Sequence, residues 1–259
     1  MKRFAVALVA GLVLTAVNAS AQVQKKDVDI KGPEANNLKG TYFSPGRPGP
    51  GLLLLHQCNT VDLDRHLLDG LANDLTNAGF HVLTVDFRGY GQSDQKATDA
   101  KQAQALRVKW PGDTDAMFNF LLAQPGVDKT RAAAGGAGCG VRQSSNLAAR
   151  RTEIKALMLL SGGLDKETLD YLAKTPGVAL FAATARDDNF YAKDFTALMG
   201  ASNNPRWFLK IYENETGQPL SETGIGSDNG VYMFPVHPEL QPMIVTWLKA
   251  QMMGQGNTN

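Results

Sequence analysis

Gly136-Ala137-Gly138-Cys139-Gly140 is the stretch of this 259-residue sequence that decides the fold. Residues 131–135 before it predict a strand, and residues 141–150 after it predict a helix. Glycine at the first and last positions is typical of a sharp strand-to-helix turn, where the two elements pack too closely for a Cβ. Such a turn, called a nucleophile elbow, usually presents a serine at its middle position. Here that position is Gly138, so the sequence indicates the turn clearly and its chemistry ambiguously.

Strand-like and helical segments alternate along the rest of the chain. Strands are predicted over residues 28–30, 38–43, 51–55, 81–85, 131–135, 156–160, 178–182 and 207–212. Helices are predicted around residues 67–78, 117–122, 141–150 and 190–199, with a closing helix that begins at Pro238. The first two strands form an opening hairpin, and residues 51–55 are apolar throughout, as in a strand buried on both faces. This order predicts an α/β fold with a doubly wound, mostly parallel sheet in one domain, residues 22–259, without a substantial cap domain.

The start of the sequence has the features of an export signal. Two basic residues precede an apolar run over residues 4–17, and Ala19-Ser20-Ala21 fits a cleavage site. The run is too short for a transmembrane helix, and Gln22 does not provide the cysteine of a lipid anchor. We therefore predict a signal peptide over residues 1–21, secretion to the periplasm or the extracellular space, and no stable membrane anchor.

Charge and cysteine content argue against several classes of protein. The 26 basic and 25 acidic residues are evenly spread, without the basic patch of a nucleic-acid-binding protein. The two cysteines are too few for a disulfide-rich scaffold and lack metal-ligand spacing. The sequence thus predicts neither a metal nor a cofactor, and no nucleic-acid partner.

Two further segments carry a resemblance to a known family. Asp86-Phe87-Arg88-Gly89-Tyr90-Gly91-Gln92-Ser93 matches a D-x-R-G-x-G-x-S loop at every fixed position, and Leu55-His56-Gln57-Cys58 is similar to a strand that ends in His-Gly. With the elbow, these segments resemble the α/β-hydrolases, and within them the dienelactone-hydrolase-like members, over nearly all of the chain after residue 21. The resemblance implies a hydrolase of carboxylic esters or lactones. It gives His56 and Arg88 structural roles: His56 orders the oxyanion loop and Arg88 joins loops through an ion pair.

The resemblance also implies a catalytic acid after the seventh predicted strand. Family members place a Ser or Cys nucleophile, an acid and a His in that order along the chain. Asp187 stands at the spacing of the acid, with its neighbour Asp188 as the other candidate. The alternative is an acidic turn that caps the helix over residues 190–199.

No histidine occurs in the loop where the family places its base. Aligning residues 230–234 with the segment that follows the family's His puts Asn229 at the His position. Counting from the last predicted strand instead puts Thr216 or Gly217 there. His237 is the nearest histidine, and its place before Pro238 also fits a simple helix entry. Both the nucleophile and the base of the triad are therefore predicted to be absent.

The two cysteines are implied to meet at the oxyanion hole. In the family, its two N–H donors belong to the residue after the nucleophile, here Cys139, and to the loop after the His-Gly strand, here Cys58. Both donors must reach one oxygen, so we expect Cα atoms within about 7 Å, the upper reach of a disulfide. Either a disulfide or two free thiols fits this expectation.

Three functions remain open from the sequence. The first is a secreted hydrolase scaffold whose degenerate triad leaves it weak or inactive towards a small-molecule ester, lactone or carboxylic acid. The second is an active hydrolase with Cys139 as nucleophile, a frame in which Val141 fits poorly at a tightly packed position. The third is a non-catalytic protein that binds such small molecules.

Overall fold

A single sheet of eight strands forms the centre of the computed structural model, which describes residues 23–186, 188–213 and 229–254. The strands are β1 (Gln24–Lys31), β2 (Asn37–Ser44), β3 (Gly49–Leu55), β4 (His81–Val85), β5 (Val127–Ala137), β6 (Ile154–Leu160), β7 (Ala179–Ala185) and β8 (Trp207–Tyr212). Their order in the sheet is β1-β2-β4-β3-β5-β6-β7-β8. The predicted opening hairpin is present, since β1 and β2 pair antiparallel, and β2 also runs antiparallel to β4.

All pairings from β4 to β8 across the sheet are parallel. The helices that connect or follow them are α1 (Asp69–Asn77), α2 (Ala100–Leu106), α3 (Trp110–Leu122), α4 (Cys139–Arg150), α5 (Lys166–Lys174), α6 (Asn189–Gly200), α7 (Met233–Val236) and α8 (Leu240–Met253). The predicted α/β architecture with a mostly parallel sheet is confirmed. Since parallel strands point the same way, the loops after β3, β4, β5 and β7 meet at one edge of the sheet.

The two faces of the sheet bury separate apolar cores. Leu53 and Leu55 of β3 belong to a core shared with α3 to α6, whereas Leu52 and Leu54 belong to one shared with α1 and α8. Successive side chains of a strand point to opposite faces, so an apolar run is needed when both faces are covered. This explains why β3, β4 and β7 are buried along their whole lengths.

The structure also contains elements that the sequence pattern did not indicate. β1 extends to eight residues although most of them are exposed, because its pairing with β2 orders them. α2 buries only Ala103, and α5 buries only Thr168 and Leu172. These residues are too few to give either helix a clear apolar stripe in the sequence. Within the described ranges, no helix is long and apolar enough to cross a membrane.

Candidate active site

Gly138 occupies the turn between β5 and α4, with φ of 54° and ψ of −117°. This left-handed conformation is strained for any residue with a Cβ. The outer glycines of the motif serve close packing. A Cβ at Gly136 would lie 2.6 Å from the carbonyl carbon of Gly140, and one at Gly140 would collide with the carbonyl oxygen of Leu55. The local geometry is therefore that of a nucleophile elbow with glycine at its apex.

Cys139 lies one residue beyond the apex and is already the first residue of α4. It is not among the described non-glycine residues with positive φ, which are Ala35, Gln95 and Ser161. The strained turn is thus centred on Gly138 and not on Cys139. This geometry favours the frame with Gly138 at the nucleophile position.

Gln57 lies close to the position that the Cβ of a side chain at position 138 would take. A Cβ at Gly138 would lie 3.0 Å from Cβ of Gln57 and 3.4 Å from Oδ1 of Asn59. The Gln57 side chain is fully buried, and its Oε1 accepts a hydrogen bond of 3.1 Å from the N–H of Val231. Its Nε2 has no hydrogen-bond partner within the described part of the chain. The sequence showed Gln57 only as a replacement for the family's glycine, and its contact with the elbow is visible only in the fold.

Asn229 and Asp188 are brought together near the same edge of the sheet. Nδ2 of Asn229 donates a hydrogen bond of 2.9 Å to Oδ1 of Asp188, and Asn229 is 6% exposed. The next residue, Gly230, has φ of 59°, and a Cβ there would collide with Oε1 of Gln57. Asn229 therefore contacts an acid, as the base of a triad does, while Gln57 connects this segment to the elbow.

Of the other candidates for acid and base, only His237 lies among the described residues. Asp187, Thr216 and Gly217 lie outside the described residues, as does the predicted signal peptide. His237 stacks on the ring of Tyr212 with 3.8 Å between ring centroids, and it does not line the cavity described below.

Cys58 and Cys139 form a disulfide, with 5.9 Å between their Cα atoms. This distance agrees with the predicted limit of about 7 Å. The loop after β3 and the start of α4 therefore converge as expected. In this bonded state the sulfur of Cys139 is not available as a nucleophile, because only a thiolate attacks.

A cavity of about 480 Å³ opens beside the disulfide. Arg107 places Nη2 3.4 Å from Sγ of Cys58, and its guanidinium lies 5.6 Å from the centroid of the Trp110 ring. Arg142 also lines the cavity and pairs with Asp165 at 3.3 Å. Arg107 and Arg142 are the cationic residues of the described lining, and because Asp165 pairs with Arg142, Arg107 contributes most to the attraction of an anionic ligand. The lining residues are Cys58, Asn59, Arg107, Val108, Trp110, Gly138, Cys139, Arg142, Gln143, Gly163 and Tyr191.

His56 holds the loop after β3 against the loop after β4. Its Nε2 accepts from the N–H of Phe87 at 3.1 Å, so its Nδ1 carries the proton and donates to the carbonyl of Gln57 at 2.6 Å. Complete burial lowers the pKa of His56 below its ordinary value of 6.5, although the hydrogen bond to Gln57 opposes this. A neutral imidazole with both nitrogens engaged orders the loop that carries Cys58.

Arg88 joins three segments through a buried network. Its guanidinium donates two hydrogen bonds to the carboxylate of Asp113, of 2.9 and 2.6 Å, and others to Glu34 and Asn36. Arg88 and Asp113 are almost fully buried. Two parallel bonds between a guanidinium and a carboxylate are a strong and directional pairing. The contacts agree with a structural role for Arg88.

Comparison with known proteins places the chain in a family. The family model for the alpha/beta hydrolase fold matches residues 45–220, which is more than half of the chain. The chain therefore belongs to the α/β-hydrolase family.

Sequence similarity to curated proteins is partial. An uncharacterized protein of Mycobacterium tuberculosis is 31% identical over 128 residues, which are 49% of this chain and 42% of the relative. The chain thus matches less than half of the length of that protein.

Structural similarity covers most of the chain at low sequence identity. An esterase of Pyrococcus furiosus superposes with a TM-score of 0.65 at 17% identity, over 93% of this chain and 96% of the esterase. A dienelactone hydrolase of Anabaena variabilis gives 0.62 at 16% identity, over 89% of this chain and 99% of the hydrolase. The fold is therefore similar to that of dienelactone hydrolases.

Proposed function

We propose that this protein is an exported member of the α/β-hydrolase family that binds a small ester, lactone or carboxylic acid and hydrolyses it barely, if at all. The observation that carries the proposal is the elbow. Its apex is Gly138, which carries no side chain, and a Cβ there would lie in tight contact, 3.0 Å, with Cβ of Gln57. The structural likeness to an esterase and to a dienelactone hydrolase supports the ligand class.

The residues at the elbow and its partner loop do not support triad chemistry. Gly138 offers no hydroxyl or thiol to attack a carbonyl carbon. Asn229, which contacts Asp188, has an amide that does not accept a proton at neutral pH. A triad needs a nucleophile, a base that takes its proton and an acid that orients the base. Among Gly138, Asn229 and Asp188, only Asp188 has a side chain suited to one of the three roles, that of the acid.

The cavity retains features that bind an acyl compound. Its volume of about 480 Å³ is in the range of small-ligand sites. Arg107 and Arg142 provide positive charge, and the backbone N–H groups of Cys58 and Cys139 are the oxyanion donors of this fold. These groups suit a carboxylate or a polarised ester carbonyl.

The disulfide argues against the alternative of a hydrolase that uses Cys139. Its sulfur is bonded to Cys58, and the predicted export would carry the chain into a compartment where such bonds persist. A Cys139-dependent hydrolase would require this bond to be reduced first.

Restoration of the triad tests the proposal. We expect the unmodified protein and the single variants Gly138→Ser and Asn229→His to hydrolyse a p-nitrophenyl ester near the background rate. The double variant should exceed the sum of the two, because nucleophile and base act as a unit. Adding Gln57→Gly should raise the rate further by clearing the space at the apex.

A matched control introduces serine into the same cavity away from the elbow. A Cβ at Gly163 would meet Tyr191 no closer than 3.7 Å, so Gly163→Ser is accommodated and should give no gain. Fast hydrolysis by the unmodified protein that is lost in Cys139→Ala would refute the proposal and establish Cys139 as the nucleophile. Calorimetry with butyrate tests binding separately, and Arg142→Gln should weaken it.

A further inference from the structure

The disulfide is part of the cavity wall, and its two cysteines differ in their exposure to solvent. Cys58 and Cys139 both line the cavity, but Cys58 is 6% exposed whereas Cys139 is partly exposed. Thiol–disulfide exchange requires a thiolate to approach one sulfur directly, so access decides which sulfur is attacked. Cys139 is the more exposed residue of the pair, and we therefore assign its sulfur as the one attacked and Cys58 as the partner that leaves.

Both sulfurs lie where a negative charge is stabilised. Cys139 is the first residue of the 12-residue helix α4, whose N-terminal N–H groups favour a thiolate. Cys58 accepts a contact from Nη2 of Arg107 at 3.4 Å. A leaving group that is stabilised as a thiolate leaves faster.

We propose that the Cys58–Cys139 disulfide is a redox-active site that exchanges with a small thiol carrying a carboxylate. The thiolate of the small molecule attacks Sγ of Cys139, and the bond between the two cysteines breaks with its electron pair on Sγ of Cys58. A second thiolate attacks the sulfur of the bound small molecule and releases Cys139 as a thiolate. Two thiols are oxidised to one small disulfide, and the protein disulfide is reduced to two thiols that take up the two protons.

The charge of the cavity selects the thiol. Arg107 lines the cavity beside Sγ of Cys58, so a carboxylate on the incoming thiol is attracted and an ammonium is repelled. The proposal does not depend on ester hydrolysis, because it uses only the disulfide and its cationic surroundings.

A series of three thiols of similar size tests the proposal on the purified, oxidised protein. Mercaptoacetate is anionic, 2-mercaptoethanol is neutral and cysteamine is cationic. Each rate of disulfide reduction is divided by the thiolate concentration, which corrects for the different pKa values of the three thiols. It is then divided by the rate at which the same thiol reduces hydroxyethyl disulfide, a neutral reference that corrects for intrinsic reactivity. We expect the normalised rate of mercaptoacetate to exceed that of cysteamine about tenfold, and this preference to vanish in 8 M urea, where the cavity is lost.

Two variants locate the cause of the preference. Arg107→Gln should lower the rate with mercaptoacetate about tenfold, since it removes one charge-assisted contact. Arg150→Gln removes an equal charge at the opposite end of α4, where Arg150 pairs with Asp115, and should leave the rate unchanged. Alkylation during the reaction, followed by mass spectrometry, should show the mixed disulfide on Cys139.

The alternative is a purely structural disulfide. Reduction at the rate of global unfolding, with no preference among the three thiols, would refute the proposal. So would a mixed disulfide on Cys58, an equal effect of the two arginine variants, or two free thiols in protein purified without reductant.

Discussion

At the elbow, the side chain of Gln57 packs against Gly138, the residue without a side chain. The strained apex carries no side chain, and the space beside it is taken by Cβ of a buried glutamine from the loop after β3. Oε1 of the same glutamine accepts from Val231, next to the segment with Asn229. One side chain therefore contacts both the predicted nucleophile position and the segment that holds the predicted base position. Under the proposed function, triad chemistry would require changes at three positions, 57, 138 and 229.

Serine at position 138 should cost stability before it gives activity. A φ of 54° and a Cβ only 3.0 Å from Gln57 predict that Gly138→Ser lowers the free energy of unfolding by about 1–3 kcal/mol. The double variant with Gln57→Gly should show favourable coupling, because the contact is then removed while the backbone strain stays. Urea unfolding measures both quantities. Gly163→Ser, which has room for its side chain, serves as the control, and an unchanged stability of Gly138→Ser would contradict the interpretation.

His56 should make stability depend on pH below about 6.5. Burial lowers its pKa in the folded state, so below 6.5 the unfolded chain binds more protons than the folded one. Stability should therefore fall with falling pH, by up to about 1.4 kcal/mol per pH unit from this group, until the lowered pKa is reached. His56→Asn keeps a donor but does not titrate, so urea midpoints between pH 7 and 5 should depend less on pH. An identical slope in the variant would show that His56 is not the cause.

At the scale of elements, burial explains which parts of the fold were predictable. β3 and β4 are buried on both faces and were predicted from their local sequences, β4 with its observed bounds. α2 and α5 bury few side chains, so their local pattern carries little information. β1 is mostly exposed and is ordered by its partner strand, which a local pattern does not contain.

The ion pair between Arg88 and Asp113 should matter to the attachment of the loop after β4. Arg88→Met leaves the buried Asp113 carboxylate without its main partner, and we expect a loss of about 3–5 kcal/mol in unfolding free energy. Arg88→Met combined with Asp113→Leu removes both charges and should recover part of this loss. Chemical unfolding of the two variants decides the question. A double variant no more stable than the single one would contradict a direct dependence on the pair.

At the scale of the whole molecule, the site was predictable where it follows from the family resemblance. The resemblance implied that Cys58 and Cys139 meet at the oxyanion hole, and in the structure the two residues are bonded to each other. The contacts of Gln57 with Gly138, Gly230 and Val231 join positions 81 to 174 residues apart and involve a side chain of no special reactivity. The sequence offered two signs of these contacts: glycine at positions 138 and 230, and Gln57 in place of the glycine that the family has there. Neither sign shows that the three residues meet, because their contact depends on how the chain folds.

If the predicted export signal over residues 1–21 functions, formation of the disulfide in the cell should depend on it. When the full chain is made in a bacterium, we expect export, cleavage before Gln22 and no free thiols, since the periplasm is oxidising. A chain that starts at Gln22 stays in the reducing cytosol and should carry two thiols. Mass spectrometry with and without alkylation measures the mature N-terminus and the thiol content in one experiment.

The disulfide should also stabilise the fold. The bond closes a loop with a sequence separation of 81, so the oxidised form should be more stable to urea by about 4 kcal/mol than the same chain after reduction. Exported protein that retains Met1 would refute the cleavage, and exported protein with two free thiols would refute the pairing at the elbow.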